Sequence, residues 1–125
     1  MEKPNALEFF RGKVRYNCAQ AVLKAYAPVT GADESCLERF AQFGGGRAPD
    51  GECGAVFAAK SLLEDADARK AVERDFVTLT GTMRCRDIRT GRRASCEQCV
   101  QTAADALYSQ LSKSMPLRRP LLCTN

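Results

Sequence analysis

Histidine is absent from this chain of 125 residues, and so is tryptophan. Without histidine there can be no Ser-His or Cys-His catalytic pair, no mixed Cys/His zinc site and no histidine-ligated haem. Any metal would have to rest on thiolate or carboxylate. Aromatics are few, six Phe and three Tyr. No Lys/Arg run is interleaved with them, so a net charge of +4 does not amount to a nucleic-acid footprint. Long apolar runs are missing too. Stretches such as Ala55 to Ala59 fall far short of the ~18 residues of a spanning helix. The segment Met1-Glu2-Lys3-Pro4-Asn5, followed only by the apolar pair Phe9 and Phe10, does not read as a signal peptide. These absences lead us to expect a cytoplasmic chain with no membrane partner.

Cysteine is what the chain does have. Seven cysteines in a chain read as cytoplasmic point to metal binding or redox chemistry before a disulfide framework. The odd count leaves at least one thiol without an intrachain partner. The length allows one domain with one core. We place that domain at residues 1–111 and a basic, flexible tail at 112–125, where two prolines and two adjacent arginines stand.

Caps and periodicity predict an all-α bundle of five or six helices and no strand. Asn5 with Glu8 opens a short helix that Gly12 ends, and Asn17 with Gln20 opens a second that stops before Pro28. A third starts near Asp33 and carries Leu37, Phe40, Ala41 and Phe43 toward the core, until Gly44-Gly45-Gly46 breaks it. Helical sequence resumes at Cys53 through Leu63. Another helix presents Ala68, Val72, Phe76 and Leu79, with Gly81 at its left-handed end. Residues 82–94 read as an arginine-rich loop. Ser95 with Gln98 caps a last helix bearing Val100, Ala103, Ala104, Leu107 and Leu111.

On this layout Cys18, Cys53 and Cys96 all fall in first turns. Unpaired amides and the positive end of the helix dipole there favour a thiolate, the form that attacks disulfides and binds metals. The competing view is that each is a small apolar residue in a core, and for Cys36 and Cys123 that plainer view is adopted. The Gly44–Gly46 run lacks the Lys-Ser/Thr ending of a phosphate loop and is read as letting backbone pass close to Cys53. Arg84, Arg86, Arg89, Arg92 and Arg93 around Cys85 read either as a solvated loop or as charges that offset thiolates or dock an acidic partner. Cys96-Glu97-Gln98-Cys99 has the Cys-x-x-Cys form of thiol–disulfide exchange, but no strand precedes it as a thioredoxin-like fold would need.

Several pieces then occur together in order: Asn17-Cys18-Ala19-Gln20-Ala21-Val22-Leu23, Phe43-Gly44-Gly45-Gly46, Gly51-Glu52-Cys53-Gly54-Ala55-Val56, Cys85-Arg86, and Cys96 with Val100. Over roughly residues 5–111 the chain resembles the redox-active family labelled C_GCAxxG_C_C. The resemblance implies that the four family cysteines are Cys18, Cys53, Cys85 and Cys96. Ala58 stands where the family motif closes with glycine, and Cys99 stands where the family tends to have an apolar residue.

Three functions are compatible with those four cysteines. The first is electron transfer through an iron–sulfur cluster that they ligate. The second is metal-free thiol–disulfide exchange, with Cys18 paired to Cys53 and Cys85 to Cys96. The third is an interaction module stapled by zinc or disulfides. A redox partner protein is implied by the first two. The chain reads more as a redox module than as a substrate-converting enzyme, and a homodimer is compatible with so small a core.

Overall fold

The structure, a computed structural model, describes residues 3–10, 16–44, 46–91 and 94–113. Gly12, Gly45, Arg92, Arg93 and Cys123, which enter the expectations above, lie outside the described residues. Among the described residues there are six α-helices and no strand: α1 Cys18–Thr30, α2 Glu34–Phe40, α3 Gly54–Ser61, α4 Ala66–Thr80, α5 Cys85–Thr90 and α6 Cys96–Lys113. Short 3-10 turns occupy Ala6–Glu8, Ala41–Phe43 and Pro49–Gly51. The expected all-α bundle is what forms.

The caps do much of the local work. Asn17 accepts from the Gln20 amide at 2.8 Å while the Gln20 side chain accepts from the Asn17 amide at 3.1 Å, closing a capping box on α1. The same two side chains reach sideways. Asn17 donates to the Ala41 carbonyl at 3.0 Å, and Gln20 donates to the Leu37 carbonyl at 2.7 Å, which ties α1 to α2. Asp33 and Asp65 cap α2 and α4, and Ser95 with Gln98 forms the reciprocal pair at α6. Gly81 closes α4 in the left-handed conformation, φ 85°.

α1 packs chiefly on α3, and α6 packs on both α3 and α4. Ala19, Val22, Leu23, Val56, Ala59, Val72, Phe76, Val100, Ala103 and Leu107 fill the space between them. Alanines on α1, α3 and α6 let these helices approach closely, and the larger residues interdigitate between them. Tyr26 crosses this core and donates its hydroxyl to the Ala104 carbonyl at 3.0 Å. Burial first, then the nearby Asp105 charge, raises its pKa well above the tyrosine norm.

Some expectations are corrected. Pro28 lies inside α1, not beyond it. The helix loses one amide donor there, yet Thr30 hydroxyl to Tyr26 carbonyl (2.9 Å) and Gly31 amide to Ala27 carbonyl (2.8 Å) close the last turn. Ala41 is exposed because the chain tightens to a 3-10 turn at that residue. Leu79 is 69% exposed, and its neighbour Thr80 takes the buried position. The segment 82–94 is not all loop: α5 forms within it and buries Ile88. The Asn5 start gives a 3-10 turn instead of an α-helix. Cys36, by contrast, is buried in α2 among the core residues as expected.

Candidate thiol redox site

Helix starts converge at one end of the bundle. Cys18 is the first residue of α1, Cys85 of α5 and Cys96 of α6, while Cys53 is the cap residue of α3. The α3 and α5 starts are held together by backbone. The Cys53 amide donates to the Met83 carbonyl at 2.7 Å, and Glu52 pairs with Arg84 in an isolated antiparallel bridge. Cys99 follows Cys96 by three residues on α6. Helical residues so spaced share a face.

These elements bring five thiols to a single apolar cleft lined by Cys18, Cys53, Cys85, Cys96 and Cys99, with Ile88, Arg89 and Ala94 completing the wall. All five are free thiols. All four cysteines singled out from the sequence are therefore brought together. Exposure is graded: Cys53 and Cys99 are each 5% exposed, Cys18 and Cys85 are half-buried, and Cys96 is exposed. Cys53 is the thiol whose ionisation responds to both Cys18 of α1 and Cys99 of α6.

That placement inverts one expectation. Cys53 lies at a helix start, yet its pKa is pushed up to about 12. The Cys18 hydrogen bond pulls it down, but the hydrogen bond to Cys99, burial and the Cys99 charge together outweigh that pull. Cys99 is shifted the other way. The Cys53 hydrogen bond lowers its pKa against burial and the neighbouring Cys96, Cys85 and Cys18. Within this pair the proton is held more tightly on Cys53 than on Cys99. A single turn of helix dipole is worth less than burial beside neighbouring thiols.

Two glycines make the cleft possible. A Cβ on Gly54 would lie 2.6 Å from the Phe43 carbonyl oxygen and 2.8 Å from Cys18 Sγ, so only glycine lets α3 approach α1 closely enough for the two thiols to meet. Gly46 has φ +83°, and a Cβ there would come within 3.2 Å of Cys85 Cβ. Gly46 therefore makes room for Cys85, and Gly44 makes room for Asn17, where a Cβ would stand 3.0 Å from the Asn17 side chain. Phe40, Phe43 and Phe57 hold this segment in place, with ring centroids 5.0 to 5.7 Å apart.

Charge is organised on both sides of the thiols. Lys60 on α3 reaches Glu52 at 2.9 Å and Glu73 of α4 at 2.8 Å, a half-buried triad that begins at the residue before Cys53. On the outer side, Arg84, Arg86 and Arg89 line a groove of about 680 Å³ with Asp50, Asp87 and Cys85. Arg89 and Cys85 belong to both groove and cleft.

Among the described residues no three Cys, Asp or Glu side chains are disposed so that they could hold a metal ion. Motif order alone does not reveal Cys99, which looks incidental to the family pattern although its Cys-x-x-Cys spacing is a signal for it. Lys60 has no local signal at all. No helix among the described residues is long and apolar enough to cross a membrane.

Comparison with curated proteins and with solved structures gives no match. The model of the family described as "Putative redox-active protein (C_GCAxxG_C_C)" matches residues 16–109, a span that holds every thiol of the cleft. With its cysteines gathered as that family's label implies and most of its length matched, the chain belongs to the C_GCAxxG_C_C family.

Proposed function

We propose that the protein is a thiol–disulfide redox module in which Cys18 and Cys53 cycle between a dithiol and a disulfide. The observation that carries this reading is that both side chains line one apolar cleft with three further thiols, Cys18 Sγ standing 2.8 Å from where a Cβ on Gly54, the residue after Cys53, would lie. A disulfide needs its two sulfurs brought together in this way. Oxidation would remove two electrons and two protons from the pair and deliver them to a partner disulfide, which leaves as two thiols. The arginine-lined groove beside Cys85 is where a redox partner with acidic surface would dock.

The rival reading is an iron–sulfur centre on Cys18, Cys53, Cys85 and Cys96. It is supported by the gathering of all four at helix starts, where amides would donate to cluster sulfur. Its difficulty is that, among the described residues, no three of the thiols are disposed as ligands of one metal ion. Purification without oxygen, then an absorption spectrum, metal analysis and thiol counting, separates the two. The exchange reading expects colourless, metal-free protein whose free-thiol count falls by two or four on mild oxidation. Cys18→Ser and Cys53→Ser should each abolish loss of the first pair. Iron–sulfur absorption dependent on all four cysteines would establish the cluster instead, and stoichiometric zinc would point to a stapled interaction module.

A further inference from the structure

We infer that Cys99, which the family pattern leaves out, is a working thiol: with Cys96 it forms the entry disulfide of an internal relay that ends at Cys18–Cys53. This inference rests on the exchange reading above and names the route by which electrons cross the cleft. Its geometric support is the order of the sulfurs. Cys96 is exposed at the first turn of α6, whereas Cys99, one turn deeper on the same face, is 5% exposed. Cys99, Cys53 and Cys18 line one small apolar cleft with Cys96, and Cys18 Sγ lies against the start of α3 that Cys53 caps. The Ser95–Gln98 capping pair and the Cys99 amide bond to the Ser95 carbonyl at 2.9 Å hold that first turn in place. A surface thiol is thus connected to the buried pair by successive neighbours. Without Cys99, the cleft would lose its buried thiol on α6.

The chemistry balances at each step. Cys96 thiolate attacks an organic disulfide RSSR, forming a mixed disulfide and expelling one RS⁻. Cys99 thiolate attacks the Cys96 sulfur, forming Cys96–Cys99 and expelling the second RS⁻. Cys53, after passing its proton to solvent, attacks Cys99 and releases Cys96 thiolate. Cys18, having lost its own proton, then attacks Cys53 and releases Cys99 thiolate. The two thiolates released within the protein and the two RS⁻ end at the protonation their surroundings dictate. The net result is RSSR plus the Cys18/Cys53 dithiol going to two RSH plus the Cys18–Cys53 disulfide, a two-electron transfer.

The test uses the full chain, reduced and held without oxygen, mixed with one equivalent of bis(2-hydroxyethyl) disulfide. Samples are acid-quenched over time, alkylated and mapped by peptide mass. The expected sequence is a mixed disulfide on Cys96, then Cys96–Cys99, then Cys18–Cys53. In Cys99→Ala the Cys96 mixed disulfide should accumulate, and Cys18–Cys53 should appear about tenfold more slowly or less. Cys99→Ser, closer in size, should behave alike. In Cys53→Ala the Cys96–Cys99 disulfide should be the end product. Wild-type rates of Cys18–Cys53 formation in both Cys99 variants would overturn the relay and leave the exchange reading standing. Absence of Cys96–Cys99 in Cys53→Ala would also overturn it. If wild type forms Cys96–Cys99 but never Cys18–Cys53, the exchange reading of that pair fails, and the relay loses its end point with it.

Discussion

Gly54 sets the distance between two sulfurs, so its side-chain hydrogen has consequences for chemistry as well as packing. Gly54→Ala would push a methyl into the Phe43 carbonyl and Cys18 Sγ. We expect a loss of about 1–3 kcal/mol in denaturant unfolding, the usual range for overpacking, and slower Cys18–Cys53 disulfide formation. Unchanged stability would show that α3 can slide away at no cost. Cys53 supplies a second prediction at this scale. The folded state holds its proton more tightly than the unfolded chain, so its contribution to stability is full below pH 9.0 and is lost as pH climbs to about 12. Serine at 53 stays neutral throughout. The stability difference between wild type and Cys53→Ser should therefore narrow across that window, and a difference independent of pH would contradict the assigned protonation.

At the scale of elements, α3 is tied to its surroundings by the Lys60 triad. Burial alone would lower the Lys60 pKa, but hydrogen bonds to Glu73 and Glu52, with their charges, raise it. Lys60→Met should leave two half-buried carboxylates facing each other at a cost of about 1–3 kcal/mol near neutrality. Because the folded-state pKa of Lys60 is raised, the lysine's contribution is present below its ordinary pKa and lost as pH rises through the raised value. The deficit of the variant, read by urea unfolding, should accordingly shrink in strong alkali. Caps are legible in the sequence for α1, α2 and α6, since Asn17, Asp33 and Ser95 are short polar residues that accept from first-turn amides, whereas the Asp65 cap of α4 is found only in the structure. The six-residue α5 is not legible. Its arginines resemble a loop, and only burial of Ile88 and the backbone bridge to Glu52 stabilise it.

At the scale of the molecule, α6 is the common partner of α1, α3 and α4, and Leu107 is fully buried among them. Leu107→Ala should cost about 2–5 kcal/mol, a large share of the 5–15 kcal/mol that holds a typical domain together. Leu79→Ala, on the surface, should change stability by about 0.5 kcal/mol or less. Equal effects would place Leu79 back in the core, where periodicity alone puts it. Helical period finds the apolar face of α4 but does not say where a neighbouring helix stops covering it, and Leu79 lies past that cover.

Helical character, the start of most helices and the set of four family cysteines are all legible in the chain before it folds, because caps, periodicity and motif order are local properties. How those thiols relate to one another is not local, and it emerges only when the helices pack. Cys53 holds its proton tightly although it heads a helix, and the pKa of Cys99, one turn into α6, is lowered, because burial and side chains from distant segments outweigh the weak field of a helix end. Local rules place each sulfur on its own helix. Packing decides which sulfur it meets.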